Sequence, residues 1–379
     1  EMTRRHKKVL VAMSGGVDSS VAAALLKNKG YDVTGVFMRS WSSELTALNV
    51  AGDIQCPWQK DREDAMRVAT KIGIPLLTWD FSKEYKKEVA DYMIREYKAG
   101  RTPNPDVMCN REIKFGLFLK KALKEGADLM ATGHYVRLKR TSRKLKVCKV
   151  KSQKLYELDE LYKLYTARDG AKDQSYFLWT LTQEQLKYCL FPIGNYTKPE
   201  VRKMAKKFGL STHSKKDSQG VCFIGALDMK EFLKHYIKPE KGKILDLDGN
   251  LIGSHDGVFY YTIGQRHGLD IKNGKGPYYV VRKDVKRNVI YVGSNKDLLS
   301  PKMKLIGINW INSPVDKRLA KSFIHRLDVR VRYRAPLSKA VINNNGEVIF
   351  KKPEIAITPG QSAVFYSKNG EMLGGGIIT

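Results

Sequence analysis

The stretch Val9-Leu10-Val11-Ala12-Met13-Ser14-Gly15-Gly16-Val17-Asp18-Ser19-Ser20 decides how the chain is read. Val9 to Met13 is an apolar run with the length of a strand buried on both faces. Ser14-Gly15-Gly16 breaks it, and Ser19 to Lys29 then reads as a helix that Gly30 stops. Two glycines let backbone N–H groups approach an anion closely. The helix start aims its positive dipole end at the same point. Ser14, Ser19 and Ser20 add hydroxyl donors, so the turn reads as a phosphate cradle. It is not a Walker A loop, because Gly242-Lys243 and Gly274-Lys275 are followed by Ile and Gly rather than Ser or Thr. It is not GxGxxG, and Ala12 stands where a GxSxG elbow needs glycine.

Outward from this turn the pattern repeats. Val33–Met38, Ile74–Trp79 and Asp128–Thr132 read as strands; Asp61–Ile72, Tyr85–Tyr97 and Ile113–Lys124 read as helices. Such alternation predicts an α/β fold with a doubly wound parallel sheet. Ligands in such sheets sit beyond the carboxyl ends of the strands. Ser14–Ser20, Met38–Trp41 and Gly133-His134-Tyr135 fall there. Residues 183–208 read as helical, with Thr197 as a cap and Glu200 three residues on. Past about residue 212 turns become frequent and helices scarce, apart from Met229–Tyr236. Leu327, Val329, Val331 and Tyr333 alternate with Asp328, Arg330, Arg332 and Arg334, as in a half-buried strand. The arginine face suits phosphate contacts. The expected division is a catalytic domain over 1–212, a small central domain over 213–292 and a C-terminal antiparallel β-barrel-like domain over 293–379.

The 379 residues carry 68 Lys+Arg and 39 Asp+Glu, a net charge of +29. A surface this cationic attracts polyanions, nucleic acid above all. Arg137 to Lys154 holds nine Lys/Arg and no acid, and reads as a basic insert that includes a hairpin. No apolar run approaches the roughly 18 residues of a membrane span, so no membrane partner is expected. The apolar run behind the basic N-terminus is too short for a signal peptide. Five cysteines without a CxxC pair argue against a disulfide scaffold or structural zinc site, and no metal ligand set is expected. A cytoplasmic monomer is the expectation.

The SGGVDSS turn resembles the signature of ATP pyrophosphatases, the PP-loop family. That implies cleavage of ATP between its α- and β-phosphates, with Asp18 helping to hold Mg²⁺. Two cysteines stand in marked settings. Cys109 follows Thr102-Pro103-Asn104-Pro105-Asp106, where two prolines stiffen the approach. Asp106 is a candidate acid/base. Cys222 lies in Asp217-Ser218-Gln219-Gly220-Val221-Cys222-Phe223-Ile224, with Lys215 and Lys216 nearby to favour a thiolate. Cys56, Cys148 and Cys189 read as structural. Two thiols beside an adenylating loop point to sulfur transfer, one carrying a persulfide and the other resolving it.

Taken together, the chain resembles the bacterial and organellar tRNA-specific 2-thiouridylases over essentially its whole length. The matching segments are Ala12–Ser20, Gly35–Met38, Thr102–Gly116, Ala131–Tyr135, Lys172–Leu178, Asp217–Ile224, Tyr261–Gly268, Arg332–Arg334 and Thr358–Gln361. The resemblance implies adenylation of the C2 oxygen of wobble uridine 34, then displacement of AMP by persulfide sulfur. It implies ATP binding by Ala12, Met13, Ser14, Gly15, Gly16, Val17, Asp18, Ser19, Met38 and Gly133. Asn104, Pro105 and Asp106 would meet the target base. Cys109 would be the nucleophile, attacking the persulfide to release sulfide or resolving the pair, and Cys222 would carry the persulfide. His134, Lys172, Asp173, Gln174, Arg332, Tyr333 and Gln361 would contact tRNA. A cysteine desulfurase or sulfur-relay protein would supply the sulfur. Two other readings fit less well. An amide-forming ATP pyrophosphatase needs no cysteine pair, and an RNA-binding protein with a vestigial nucleotide site needs no intact loop.

Overall fold

The computed structural model describes residues 6–41, 57–150, 153–217, 229–271, 274, 276–312 and 325–379; over 143–150 and 153–159 it describes the backbone course. The first strands are β1 (Lys8–Met13), β2 (Asp32–Arg39), β3 (Leu76–Asp80), β4 (Leu129–Ala131), β5 (Val136–Val150), β6 (Gln153–Thr166) and β7 (Cys189–Leu190). Five form a sheet in the order β3-β2-β1-β4-β7, with every pairing parallel. β1 is apolar at nearly every position because both its faces are covered. Leu10 and Ala12 join a core with Val36 and Phe118 on one face. Val9, Val11 and Met13 join Val21, Val68 and Val201 on the other. Helices α1 (Val17–Asn28), α2 (Pro57–Ile72) and α3 (Lys198–Lys207) supply that second layer.

The run 183–208 is not one helical stretch. A single turn at Gln183–Leu186 gives way to β7, and the chain passes Pro192 and Gly194 before α3. A Cβ on Gly194 would stand 1.9 Å from the Val136 carbonyl oxygen, so only glycine lets the chain pass this close to β5. The start of α3 is as expected: Glu200 accepts from the Thr197 N–H at 2.7 Å. Another departure follows Asn104. Pro105–Met108 is α-helical, but Cys109–Phe118 widens to a π-helix before Leu119–Lys124 tightens again. Such widening concentrates at functional sites.

The central part contains β8 (Gly242–Leu245), β9 (Leu251–His255), β10 (Tyr279–Asp284) and β11 (Val289–Gly293), in the order β10-β11-β8-β9. Then come β12 (Leu299–Trp310), β13 (His325–Arg330), β14 (Ser338–Ile342), β15 (Glu347–Ile355), β16 (Ser362–Tyr366) and β17 (Glu371–Ile378). These six close into an antiparallel barrel through β12–β17 pairing. Leu327, Val329 and Val331 point into its core, as their alternation requires. The basic insert is indeed a hairpin, β5–β6, but its root joins the C-terminal sheet: Tyr165 and Leu164 pair with Glu371 and Met372. No helix of the described residues is long and apolar enough to cross a membrane.

Candidate active site

The order of the parallel sheet reverses between β1 and β4, and the glycine turn sits at that switch point. Gly15 has φ +72°, and a Cβ there would lie 2.1 Å from the Asp61 carbonyl oxygen. A Cβ on Gly133, just past β4, would lie 2.6 Å from the Ser19 nitrogen. Both positions therefore demand glycine. The hydroxyls are ordered: Ser20 Oγ donates to the Gly16 carbonyl at 2.7 Å, and Ser19 Oγ accepts from the Ser14 N–H at 3.2 Å. This compact cradle at a helix N-terminus fits a pyrophosphate group. Met38 is half-buried at the carboxyl end of the neighbouring β2.

An ionic network surrounds the cradle. Lys198 Nζ lies 2.8 Å from both carboxylate oxygens of Asp18 and 2.9 Å from Asp217. The Tyr135 hydroxyl donates to Asp18 at 2.7 Å. Asp217 also accepts from Lys172 at 2.5 Å and Arg202 at 2.8 Å. Partial burial works against its charge, yet the Lys172 and Lys198 ammonium groups win and hold its pKa at about 2. Lys215 bridges Asp61 and Asp64 and reaches the Gly15 carbonyl at 3.1 Å. Among the described residues no group of three His, Cys, Asp or Glu could hold a metal ion. Both Asp18 oxygens already hold Lys198, so a Mg²⁺ there would compete with that ammonium, with phosphate oxygens completing its shell.

The Cys109 segment is built by its neighbours. Asn104 caps the short helix, accepting from the Val107 N–H at 3.2 Å, and Pro105 occupies the first turn. Asp106 and half-buried Cys109 follow one turn apart. Burial raises the Asp106 pKa above the usual carboxylate range, and the charge of Lys114 opposes the rise. Burial drives His134 well below its usual value, with Lys114 adding to the effect. The His134 ring, next to Gly133 of the cradle, packs 5.9 Å from that of Phe115, on the helix that begins at Cys109. This contact joins the helix that bears Cys109 to the Gly133 side of the cradle.

Three segments that carried the resemblance converge on Thr102. Its N–H donates to the Pro359 carbonyl at 2.9 Å, and its hydroxyl meets that of Thr262 at 3.2 Å. Gln361 Nε2 donates to the carbonyls of Thr102 and Pro103 at 2.9 and 3.1 Å. Arg332 donates to the Ile263 carbonyl and the Thr358 hydroxyl at 2.6 and 2.5 Å. Several residues expected at tRNA therefore have polar atoms engaged by protein. Asp173 is buried and pairs with Arg330 at 2.9 Å. Gln174 accepts from the Tyr135 N–H at 2.9 Å. His134 is buried, with Nδ1 2.8 Å from the Thr132 hydroxyl. Tyr333 packs its ring 4.4 Å from that of Phe177. On the expected arginine face, Arg330 and, just past β13, Arg332 are engaged by protein, while Arg334 is exposed.

Cys189 is buried and inert, its thiol pushed up by desolvation. Cys222 and Cys56 lie outside the described residues, as does the side chain of Cys148. Sequence reasoning missed Lys114, Lys198, Asp61 and Asp64 as members of the site. Lys198 was visible only as part of a helix start, and nothing local distinguished Lys114.

A parallel sheet with a glycine-serine cradle at its switch point, followed by a mixed four-stranded sheet and an antiparallel barrel, defines a nucleotide-binding α/β enzyme of the PP-loop type. Residues 7–226 match a family model described as "tRNA methyl transferase HUP domain". Residues 230–294 match its "PRC-barrel domain", and residues 300–378 an "Aminomethyltransferase beta-barrel domain". The tRNA-specific 2-thiouridylase MnmA of Geobacillus thermodenitrificans is 46% identical over 378 residues, covering 98% of this chain and 94% of that protein. The same-named protein of Streptococcus mutans is 44% identical, covering 100% and 96%. The chain belongs to the tRNA-specific 2-thiouridylase family. Among solved structures, a 4-thiouridine synthetase in complex with RNA and ATP is 18% identical, with a TM-score of 0.37, covering 60% of this chain and 50% of that one.

Proposed function

We propose that this chain thiolates tRNA: it uses ATP to adenylate the C2 oxygen of a wobble uridine and replaces that oxygen with sulfur. The observation that supports the reading is the packing of His134, next to Gly133 of the cradle, against Phe115 of the helix that begins at Cys109. The uridine oxygen attacks the α-phosphate, pyrophosphate leaves into the cradle, and Asp106 accepts the N3 proton. A carboxyl held above its usual range suits that transfer. Mg²⁺ accompanies the ATP phosphates. A cysteine desulfurase or sulfur-relay protein loads a persulfide on Cys222. Two routes then lead to product: the outer sulfur attacks C2 and expels AMP, or Cys109 first frees it as sulfide. In each, Cys109 attacks the inner sulfur and ends in a disulfide with Cys222, which an external thiol must reduce. The proposed setting is the cytoplasm, where the chain acts as a monomer.

The deciding assay combines purified protein, ATP, Mg²⁺, a sulfide or persulfide source and unmodified tRNA. Mass spectrometry of the nucleosides should find 2-thiouridine, and pyrophosphate release should depend on added tRNA. Release that ignores tRNA would sink the reading.

The site also predicts a pH effect. Asp106 accepts a proton only when ionised, so the rate falls as pH drops through its raised pKa. Lys114 favours the ionised form. In Lys114→Met that help is gone, the Asp106 pKa rises further, and the acid limb moves to higher pH. Rates on the acid side should fall several-fold more than the alkaline plateau. An unmoved limb would remove Lys114 from this role.

A further inference from the structure

Strands β5 and β6 stay in antiparallel register from Val136↔Thr166 out to Val150↔Gln153. Only Leu164 and Tyr165 pair with the barrel, and β5 is the edge of that sheet. The two strands therefore continue as a ribbon past the sheet. From Lys139 to Val150 it extends about 35–40 Å at roughly 3.3 Å per residue. Its root is fixed near the cradle, where the Val136 N–H donates to the His134 carbonyl at 3.1 Å.

Charge is distributed unevenly along the ribbon. At the root the cations have protein partners. Lys139 and Arg137 lie 4.9 and 6.0 Å from the Tyr165 ring, Arg140 pairs with Glu160, and Lys163 pairs with Glu371 at 3.1 Å. From 143 to 159 the sequence carries Arg143, Lys144, Lys146, Lys149, Lys151 and Lys154 against Glu157 and Asp159; six less two leaves +4. The edge strand β5 has seven cations and no acid. Charged side chains protect an edge from pairing with another chain, but seven cations on one strand with no acid also form a concentrated positive charge.

We infer that the β5–β6 ribbon is a second grip on the RNA substrate, holding phosphates beyond the base in the active site. The inference rests on the reading of tRNA as substrate. A polyanion matches a strand with seven cations and no acid, and a ribbon of this reach follows a helical backbone away from the root. Side chains cannot read the deep, narrow major groove of A-form RNA. The grip is therefore on phosphates and indifferent to sequence, and it adds affinity without touching the chemistry.

The test replaces residues 141–161 with Asn-Gly, joining Arg140 to its register partner Tyr162 through a two-residue turn. Binding of unmodified tRNA is measured from about 50 to about 300 mM salt. Trimming should weaken binding about tenfold or more at the low end. The slope of log K against log salt should become shallower by about 3, at roughly 0.9 per lost phosphate contact. The kcat at saturating tRNA should hold within about twofold, because the ribbon reaches no reacting atom. A full-length chain carrying Lys144→Gln, Lys146→Gln, Lys149→Gln and Lys151→Gln should move the same way, which guards against a folding defect in the trimmed one. Unchanged affinity and slope in both variants overturn the proposal while leaving the thiolation reading intact. Slower sulfur delivery from a persulfide-bearing protein, at unchanged tRNA affinity, also overturns it. A parent chain that binds no tRNA overturns both.

Discussion

With a persulfide donor, replacing Cys109 by serine is expected to cut thiolated tRNA at least about a hundredfold while tRNA-dependent pyrophosphate release stays within a few-fold of the parent. A serine hydroxyl at neutral pH is a far weaker nucleophile than a thiol. The two steps use different groups. Adenylation draws on the Gly15–Gly133 cradle and Asp106, and Cys109 enters only when sulfur moves. Serine is nearly isosteric, and Cys109 is half-buried at the start of a π-helical segment, so the fold should tolerate the change. Parallel loss of pyrophosphate release would instead place Cys109 in the adenylation step. Cys222→Ser should behave similarly with a persulfide donor. If thiolation survives in both variants, the thiol mechanism is wrong.

The nucleotide half of this site is legible in sequence because its determinants are local. Val9–Met13 is apolar throughout because it is covered on both faces. Gly15 is glycine because its φ is +72° and α2 presses on it. Those requirements act within a few residues of the turn. The roles of Asp173, Arg332 and Gln361 are set by partners far along the chain. Gln361 meets Thr102 and Pro103, Arg332 meets Ile263, and Asp173 meets Arg330. A polar residue in a marked segment reads as a ligand contact when its protein partner is more than 60 residues away. The π-helix at Cys109 is illegible for another reason, since its residues carry ordinary helical periodicity. So is the ribbon's place in the C-terminal sheet, because β6 and β17 are some 200 residues apart in sequence.

Asp173 puts that difference to a direct measurement. Its side chain is 3% exposed and that of Arg330 15%. The carboxylate accepts from the Ala167 and Ser175 N–H groups at 3.1 Å each, from the Ser175 hydroxyl at 3.0 Å and from Arg330 at 2.9 Å. Ser175 in turn meets the Tyr366 hydroxyl at 3.0 Å, so the network ties the catalytic domain to the barrel. Asp173→Ala leaves a guanidinium and backbone donors without their acceptor. Breaking one side of a buried pair costs about 3–5 kcal/mol. Asp173→Ala should therefore lower the first unfolding transition sharply, and Arg330→Met should do much the same. The double variant should fall well short of the sum, with a coupling of about 1–3 kcal/mol, because the second change removes the charge the first stranded. If Asp173 served instead as an RNA contact, its loss would weaken tRNA binding at an unchanged unfolding midpoint, and the two substitutions would add.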